Sequence, residues 1–228
     1  RPVFPIFLFV IAESFRYTGN RKGLLKRLLL ASWIMTLGNV ALQTALPNPS
    51  PSVVLMNSAF MTFFVTGLYI VFYDKLTEAV KARQAGKIAK AVLLFFVPVL
   101  TAIPMVLVGA LSGNENISWP LIKALATVCL LIPSILSAEA GLSMIALGLL
   151  FYAFREKRWA QMVVLAAYSA AIFVLSKGAN YQWMAIFALI PIFFYNGEKG
   201  RGMKRFFYIF YPVHIYVLYI IATLLSTA

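Results

Sequence analysis

Long apolar runs alternate with short clusters of positive charge along this chain. Candidate spans cover 2–16, 24–45, 53–73, 88–111, 159–176, 180–195 and 206–226, with a further apolar region at 121–154. Most approach the roughly 20 residues that an α-helix needs to cross a bilayer. In lipid, only helices and closed barrels satisfy every backbone N–H and C=O. Leu93 to Val108 is continuously apolar, without the two-residue alternation of a barrel strand, so the pattern predicts helices. The first run is short, as expected of a chain that lacks one N-terminal helix or begins part-way through one. It has no basic leader or small-residue cleavage site ahead of it, so it does not read as a signal peptide.

The charges between the runs give the orientation. Of 20 Lys and Arg, 17 fall in four short stretches: 16–27, 74–90, 155–158 and 198–205. Excess positive charge marks cytoplasmic loops, so all four are expected inside. The loops at 46–52 and 112–120 carry almost no charge and are expected outside. From 112–120 to 155–158 the chain must then cross an odd number of times. The 34 residues of 121–154 would allow two short spans, but two would move Arg155, Lys157 and Arg158 outside. One crossing plus a broken or re-entrant piece, interrupted near Pro133, Ser134, Ser137 and Glu139, is therefore expected. The reading is an all-α, polytopic transmembrane helix bundle with about eight crossings, forming one domain over 1–228, with Arg1 and Ala228 both outside. No repeat or low-complexity linker divides it.

Composition narrows the class further. Apolar residues make up 62% and charged residues 12%, with mean hydropathy +0.86; soluble domains carry roughly 25% charged residues. A formal charge of +13 suggests nucleic acid, but its confinement to loops between spans is a topological signature instead, and no nucleic-acid partner is expected. The single Cys129 excludes an intramolecular disulfide and any cysteine metal cluster; no metal site is expected.

Ionisable groups within spans are costly and usually functional. His214, the only histidine, follows Tyr208 by about 9 Å of helix, which places it in the hydrocarbon on the cytoplasmic side. Pro212 frees a nearby carbonyl, and an imidazole there suits a general base, against the alternative of interhelical packing. Glu13 sits one turn before Arg16, as an ion-pair partner or as a carboxylate that orients a histidine. Arg16 and Tyr17 lie at the interface, where Arg16 can bind phosphate or simply fix topology. Glu139 interrupts the ambiguous region, as a turn residue or an intramembrane acid. Asn57 and Gly67 suit helix packing. Residues 196–200 form a tight turn without P-loop spacing.

Four blocks resemble the TraX family of bacterial membrane proteins. They are Arg1-Pro-Val-Phe-Pro-Ile-Phe-Leu-Phe with Glu13-Ser-Phe-Arg-Tyr-Thr; Asn57 through Gly67; Tyr195-Asn-Gly-Glu-Lys-Gly; and Phe206-Phe-Tyr-Ile-Phe-Tyr-Pro-Val-His214. The last is the most specific, and the middle of the chain matches in hydropathy alone. The resemblance implies a bacterial inner-membrane acyltransferase that moves an acetyl or other acyl group from cytoplasmic acyl-CoA to a protein N-terminus, glycan or lipid. It implies His214 and Glu13 as catalytic residues. Arg1, Arg16, Tyr17, Asn57, Glu139 and Tyr211 would lie on the substrate, and Arg16, Arg21 and Lys204 on the coenzyme A phosphates. Acyl-CoA would be a co-substrate rather than a resident cofactor, and a pilin-like or surface-polymer acceptor would be a partner. The chain departs from the family in three places. It begins after an earlier helix that carries an Asp-His pair, it has Tyr17 where histidine is common, and it has Glu139 where Asp is more usual.

Two other functions fit the residues. A proton-coupled transporter or lipid flippase would use broken spans with an intramembrane Glu and His. A non-catalytic assembly factor would tolerate His214→Ala.

Overall fold

The computed structural model describes residues 2–50, 53–56, 58–114, 116–198 and 204–227, except for the side chains at 204, 205 and 227. Among them are ten α-helices, one 3-10 helix and no strand. In order they are α1 (Val3–Tyr17), α2 (Arg21–Ala45), α3 (Ala59–Lys81), α4 (Ala85–Leu100), α5 (Ile103–Leu111), α6 (Trp119–Leu131), α7 (Gly141–Ala153), α8 (Arg158–Leu175), the 3-10 helix Tyr181–Ala188, α9 (Leu189–Phe194) and α10 (Lys204–Thr227).

Five of these stretches are long and apolar enough to cross a membrane: α2, α3, the joined α4–α5, α8, and 206–226 within α10. The other three expected crossings are shorter. Residues 3–17 form a 15-residue helix, 181–194 a 3-10 turn run followed by α9, and 121–154 two 13-residue helices. The third span also begins later than its hydropathy suggests, because 53–56 are not helical.

Local chemistry explains most boundaries. Asn20 caps α2, its side-chain oxygen accepting the Gly23 N–H at 2.8 Å. Pro104 has no N–H for the Leu100 carbonyl, and the helix breaks at Thr101–Ala102. Pro133 pushes Ile132 into an extended conformation and ends α6. These two breaks lie side by side and satisfy one another. Ile135 N–H donates to the Pro98 carbonyl at 3.0 Å, and Thr101 Oγ1 donates to the Pro133 carbonyl at 2.7 Å. Trp33 Nε1 donates to the Leu131 carbonyl at 2.8 Å. Irregular backbone at membrane depth is tolerated only when satisfied in this way. The interruption expected within 121–154 is thus the segment 132–140, between two half-length helices.

α3 is the central helix: 67% of its most apolar stretch is buried, against 11% for α10. α1, α3 and α7 run in the same direction. Phe9 meets Phe151, Ala140 N–H donates to Thr62 Oγ1, and Tyr152 donates to Asp74 at 2.7 Å. α2 runs against them, with Arg21 on Asp74. α10 follows α2: Tyr216 donates to the Met35 carbonyl, Tyr219 to the Leu46 carbonyl, and Asn48 Nδ2 to Thr223 Oγ1.

One end of the bundle is strongly basic and is tied by charge. Arg21 donates to Asp74 and to the Tyr152 hydroxyl (2.9 Å), while Arg155 lies over the Tyr152 ring. Asp74→Asn is expected to cost about 1–2 kcal/mol, the worth of a partly exposed charged hydrogen bond. The check is a lower melting temperature in lipid nanodiscs, with Lys22→Gln as an unpaired control.

The α3–α4 turn ends α3 with Arg83 in the left-handed region, φ 53°. Gln84 N–H reaches back to the Ala79 carbonyl and Arg83 N–H to that of Val80, a Schellman closure that favours glycine. Arg83→Gly is expected to stabilise the protein by roughly 1 kcal/mol, read as a rise in melting temperature. A fall would show that the arginine side chain itself matters.

Candidate functional site

Two irregularities of the backbone, the extended segment before α3 and the 132–140 break, meet the part of α10 that carries Pro212. Glu139, in the break, accepts the Ser58 N–H at 2.8 Å and so sits at the positive N-terminal end of α3. α7 starts two residues later, after Gly141 turns the chain with φ 71°. Tyr211 projects from α10 to the same point. Its hydroxyl accepts the Ala59 N–H at 3.4 Å, and its side chain is hydrogen-bonded to Glu139. Among the described residues, the hydroxyl of Ser58, only 7% exposed, has no hydrogen-bond partner. A buried hydroxyl is normally paired, so this one is available to a bound group. Glu139 itself is exposed, and the cluster opens to the surface.

His214 stands one turn beyond Tyr211. Its ring stacks on Phe210 at 5.1 Å and meets Tyr211 edge-on at 5.5 Å. Nδ1 lies 3.0 Å from the Phe210 carbonyl oxygen. A carbonyl can only accept, so in the neutral ring Nδ1 carries the proton and Nε2 keeps a free lone pair. That is the form a general base needs.

Glu13 belongs to a different place. It is 4% exposed, hydrogen-bonded to Gln161 of α8 and close to Arg16 and Arg158. Arg158 in turn holds the carbonyls of Ile192 and Tyr195. The expectation that Glu13 pairs with His214 is corrected by the helix directions. Phe7 packs on Phe207, Glu13 lies about 9 Å from there toward the basic end, and His214 about 10 Å away from it. The two side chains are therefore roughly 20 Å apart along the bundle. The same geometry corrects the depth of His214. Tyr208 stacks on Phe60, itself about 21 Å of helix from Asp74, so His214 belongs to the half remote from the basic end.

The remaining candidates fall as follows. Arg16 is held by the Arg155 carbonyl and by Glu156, at 2.9 Å. Tyr17 is exposed beside it, with the Arg16 guanidinium 5.2 Å from its ring centre. Arg21 is committed to Asp74 and Tyr152. Arg1 and Asn57 lie outside the described residues, and so does the side chain of Lys204. Among the described residues no three His, Cys, Asp or Glu converge as a metal site would need.

Sequence reading named Glu139 and Tyr211 but missed Ser58, Thr62 and Gln161. One signal was present: Ser58, Thr62 and Thr66 recur every four residues, which puts three hydroxyls on one face of an apolar helix. Gln161, an amide within an apolar run, was a second.

The helices define a polytopic helical membrane protein with an open polar cluster at their interruptions. The chain belongs to the TraX family, whose model, described as TraX protein, matches residues 1–222. No curated protein and no solved structure matches it significantly.

Proposed function

We propose that this protein is an acyltransferase of the bacterial inner membrane, moving an acyl group from acyl-CoA to an amine or hydroxyl acceptor at the Glu139–Tyr211–His214 cluster. In this reading the basic end faces the cytoplasm. The eight crossings include the short α1, the joined α6–α7 pair and the 181–194 stretch. The observation that carries the proposal is the His214 ring, whose Nδ1 is fixed by the Phe210 carbonyl beside the Tyr211–Glu139 pair.

The chemistry follows from those groups. His214 Nε2 removes the acceptor's N–H or O–H proton as the heteroatom attacks the thioester carbonyl. The Ser58 hydroxyl, whose proton has no other taker among the described residues, donates to the oxyanion that develops. The carbon–sulfur bond then breaks, and the imidazolium returns its proton to the departing thiolate. Glu139 accepts the Tyr211 O–H and so holds that ring beside His214.

The test is acetyl-CoA binding and thioester turnover by the protein in nanodiscs, comparing wild type with His214→Ala and Glu139→Gln. Turnover lost with binding retained supports the reading; no saturable binding to the folded protein sinks it.

A second reading has its own observation. The N-termini of α3 and α7 both approach Glu139, as half-helices do around transporter substrates. It is a proton-coupled transporter or flippase, and it predicts flux across proteoliposomes without thioester cleavage.

A further inference from the structure

The hairpin between α3 and α4 lines an open cavity of about 310 Å³ at the basic end. Lys75 reaches it from α3, and Lys87 and Lys90 from α4; Glu78 and a floor of alanines complete the wall. Three lysines against one glutamate leave the cavity with an excess of two positive charges. Asp74, next to Lys75 in the chain, is already engaged by Arg21 and Tyr152. None of the three ammonium groups has an ion-pair or hydrogen-bond partner among the described residues.

Two ordinary explanations cover less than this. Lysines at a helix C-terminus often neutralise orphan carbonyls, but here Arg83 and Gln84 satisfy those of α3 through their own backbone N–H groups. Positive charge on a cytoplasmic loop also fixes topology, but topology requires only that the charges be present. It does not require three of them to surround one cavity while Lys81 and Arg83 of the same hairpin stay outside its lining. Lysine is a point charge that suits phosphate from any direction. The N-terminus of α4, uncapped by any side chain, adds positive potential beside Lys87.

We propose that Lys75, Lys87 and Lys90 form a binding site for a phosphate-bearing ligand in the α3–α4 hairpin. Assigning that ligand to the nucleotide end of acyl-CoA rests on the acyltransferase reading; the phosphate chemistry does not. An anionic lipid headgroup offers the same chemistry, and the alanine floor accepts either a base or the start of an acyl chain. α3 connects this cavity to the cluster, since Ser58 lies 17 residues, or about 25 Å of helix, from Lys75. A donor held here by its phosphates would therefore have to extend along α3 to present its thioester.

The experiment uses the full chain in nanodiscs. Binding of acetyl-CoA, 3′-dephospho-CoA and pyrophosphate is measured in phosphatidylcholine alone, and retention of phosphatidylglycerol over phosphatidylcholine is measured by native mass spectrometry. The variants are Lys75→Gln, Lys87→Gln, Lys90→Gln and their combination, with Lys81→Gln as the equal-charge control. Each single change is expected to weaken the ligand roughly fivefold and the triple roughly a hundredfold, while Lys81→Gln leaves affinity unchanged. Loss confined to the coenzyme A arms identifies the nucleotide. Loss of phosphatidylglycerol preference alone identifies the headgroup and supports the site without the acyl-CoA assignment. If wild type binds no acyl-CoA but pyrophosphate binding still depends on the lysines, the site stands and the acyltransferase reading falls. Wild-type behaviour of the triple variant in every arm, or an equal loss in Lys81→Gln, overturns the proposal.

Discussion

Replacing His214 by alanine is expected to lower thioester turnover by about 10²–10⁴-fold, the usual contribution of a positioned base, while acetyl-CoA affinity stays within experimental error. The separation is expected because the ring adds little to the fold. It is half-buried, and its ring pairs and its hydrogen bond are with Phe210 and Tyr211 of its own helix. α10 is fastened to its neighbours elsewhere, through Tyr216, Tyr219 and Thr223. A decisive companion is His214→Asn, whose amide keeps a donor near the Phe210 carbonyl but supplies no basic nitrogen. An inactive asparagine variant with the wild-type melting temperature assigns the base to Nε2. An active one shows that the ring only positions Tyr211, and moves the proton acceptor to Glu139.

The largest structural effect is expected at two glycines that set the spacing of the central helices. A Cβ on Gly67 would stand 2.6 Å from Phe15 Cζ and 2.9 Å from Leu25 Cδ2. One on Gly148 would stand 2.6 Å from Thr66 Cγ2 and 3.2 Å from Leu8 Cδ2. Leu8, Phe15 and Thr66 are buried and Leu25 packs against them where α1, α2, α3 and α7 meet, so they have little room to retreat. Close approach over small residues is how helices gain contact in lipid, where no hydrophobic force draws them together. Leucine at either position forces the helices apart, at a cost above the 1–3 kcal/mol typical of overpacking by a methylene or two. Gly67→Leu and Gly148→Leu are expected to lose the monodisperse, cooperatively melting protein. Gly109→Leu, with nothing within 4 Å of its Cβ, is expected to keep it. A Gly148→Leu protein that melts with wild type would show that α7 does not pack as described.

Much of the helical architecture was legible along the chain, because lipid imposes a one-dimensional rule: a residue's hydropathy reports which solvent it meets. The runs at 24–45, 88–111, 159–176 and 206–226 each correspond to helix within a few residues. Pro104, Pro120 and Pro133 stand at the beginning of α5, the beginning of α6 and just after α6, because a missing N–H acts locally whatever surrounds it. The Pro133–Glu139 interruption was readable for the same reason.

Hydropathy could not tell that 53–56 are extended or that 181–188 wind as a 3-10 helix, since both are as apolar as an α-helix would be. Nor could it set the register of one helix against another. Along the sequence Glu13 and His214 each lie close to a basic loop, which predicts that they are near each other. Side-chain packing between α1 and α10, seen at Phe7 and Phe207, sends them to opposite halves of the bundle. By itself, then, the sequence determined a helical membrane protein, the interruption at Pro133–Glu139 and the identity of its few ionisable groups, because solvent preference and proline chemistry act residue by residue. Only the tertiary structure decided that Glu139, rather than Glu13, meets Tyr211 beside His214. That pairing depends on how far each helix slides past its neighbours, and interlocking side chains in three dimensions fix that distance.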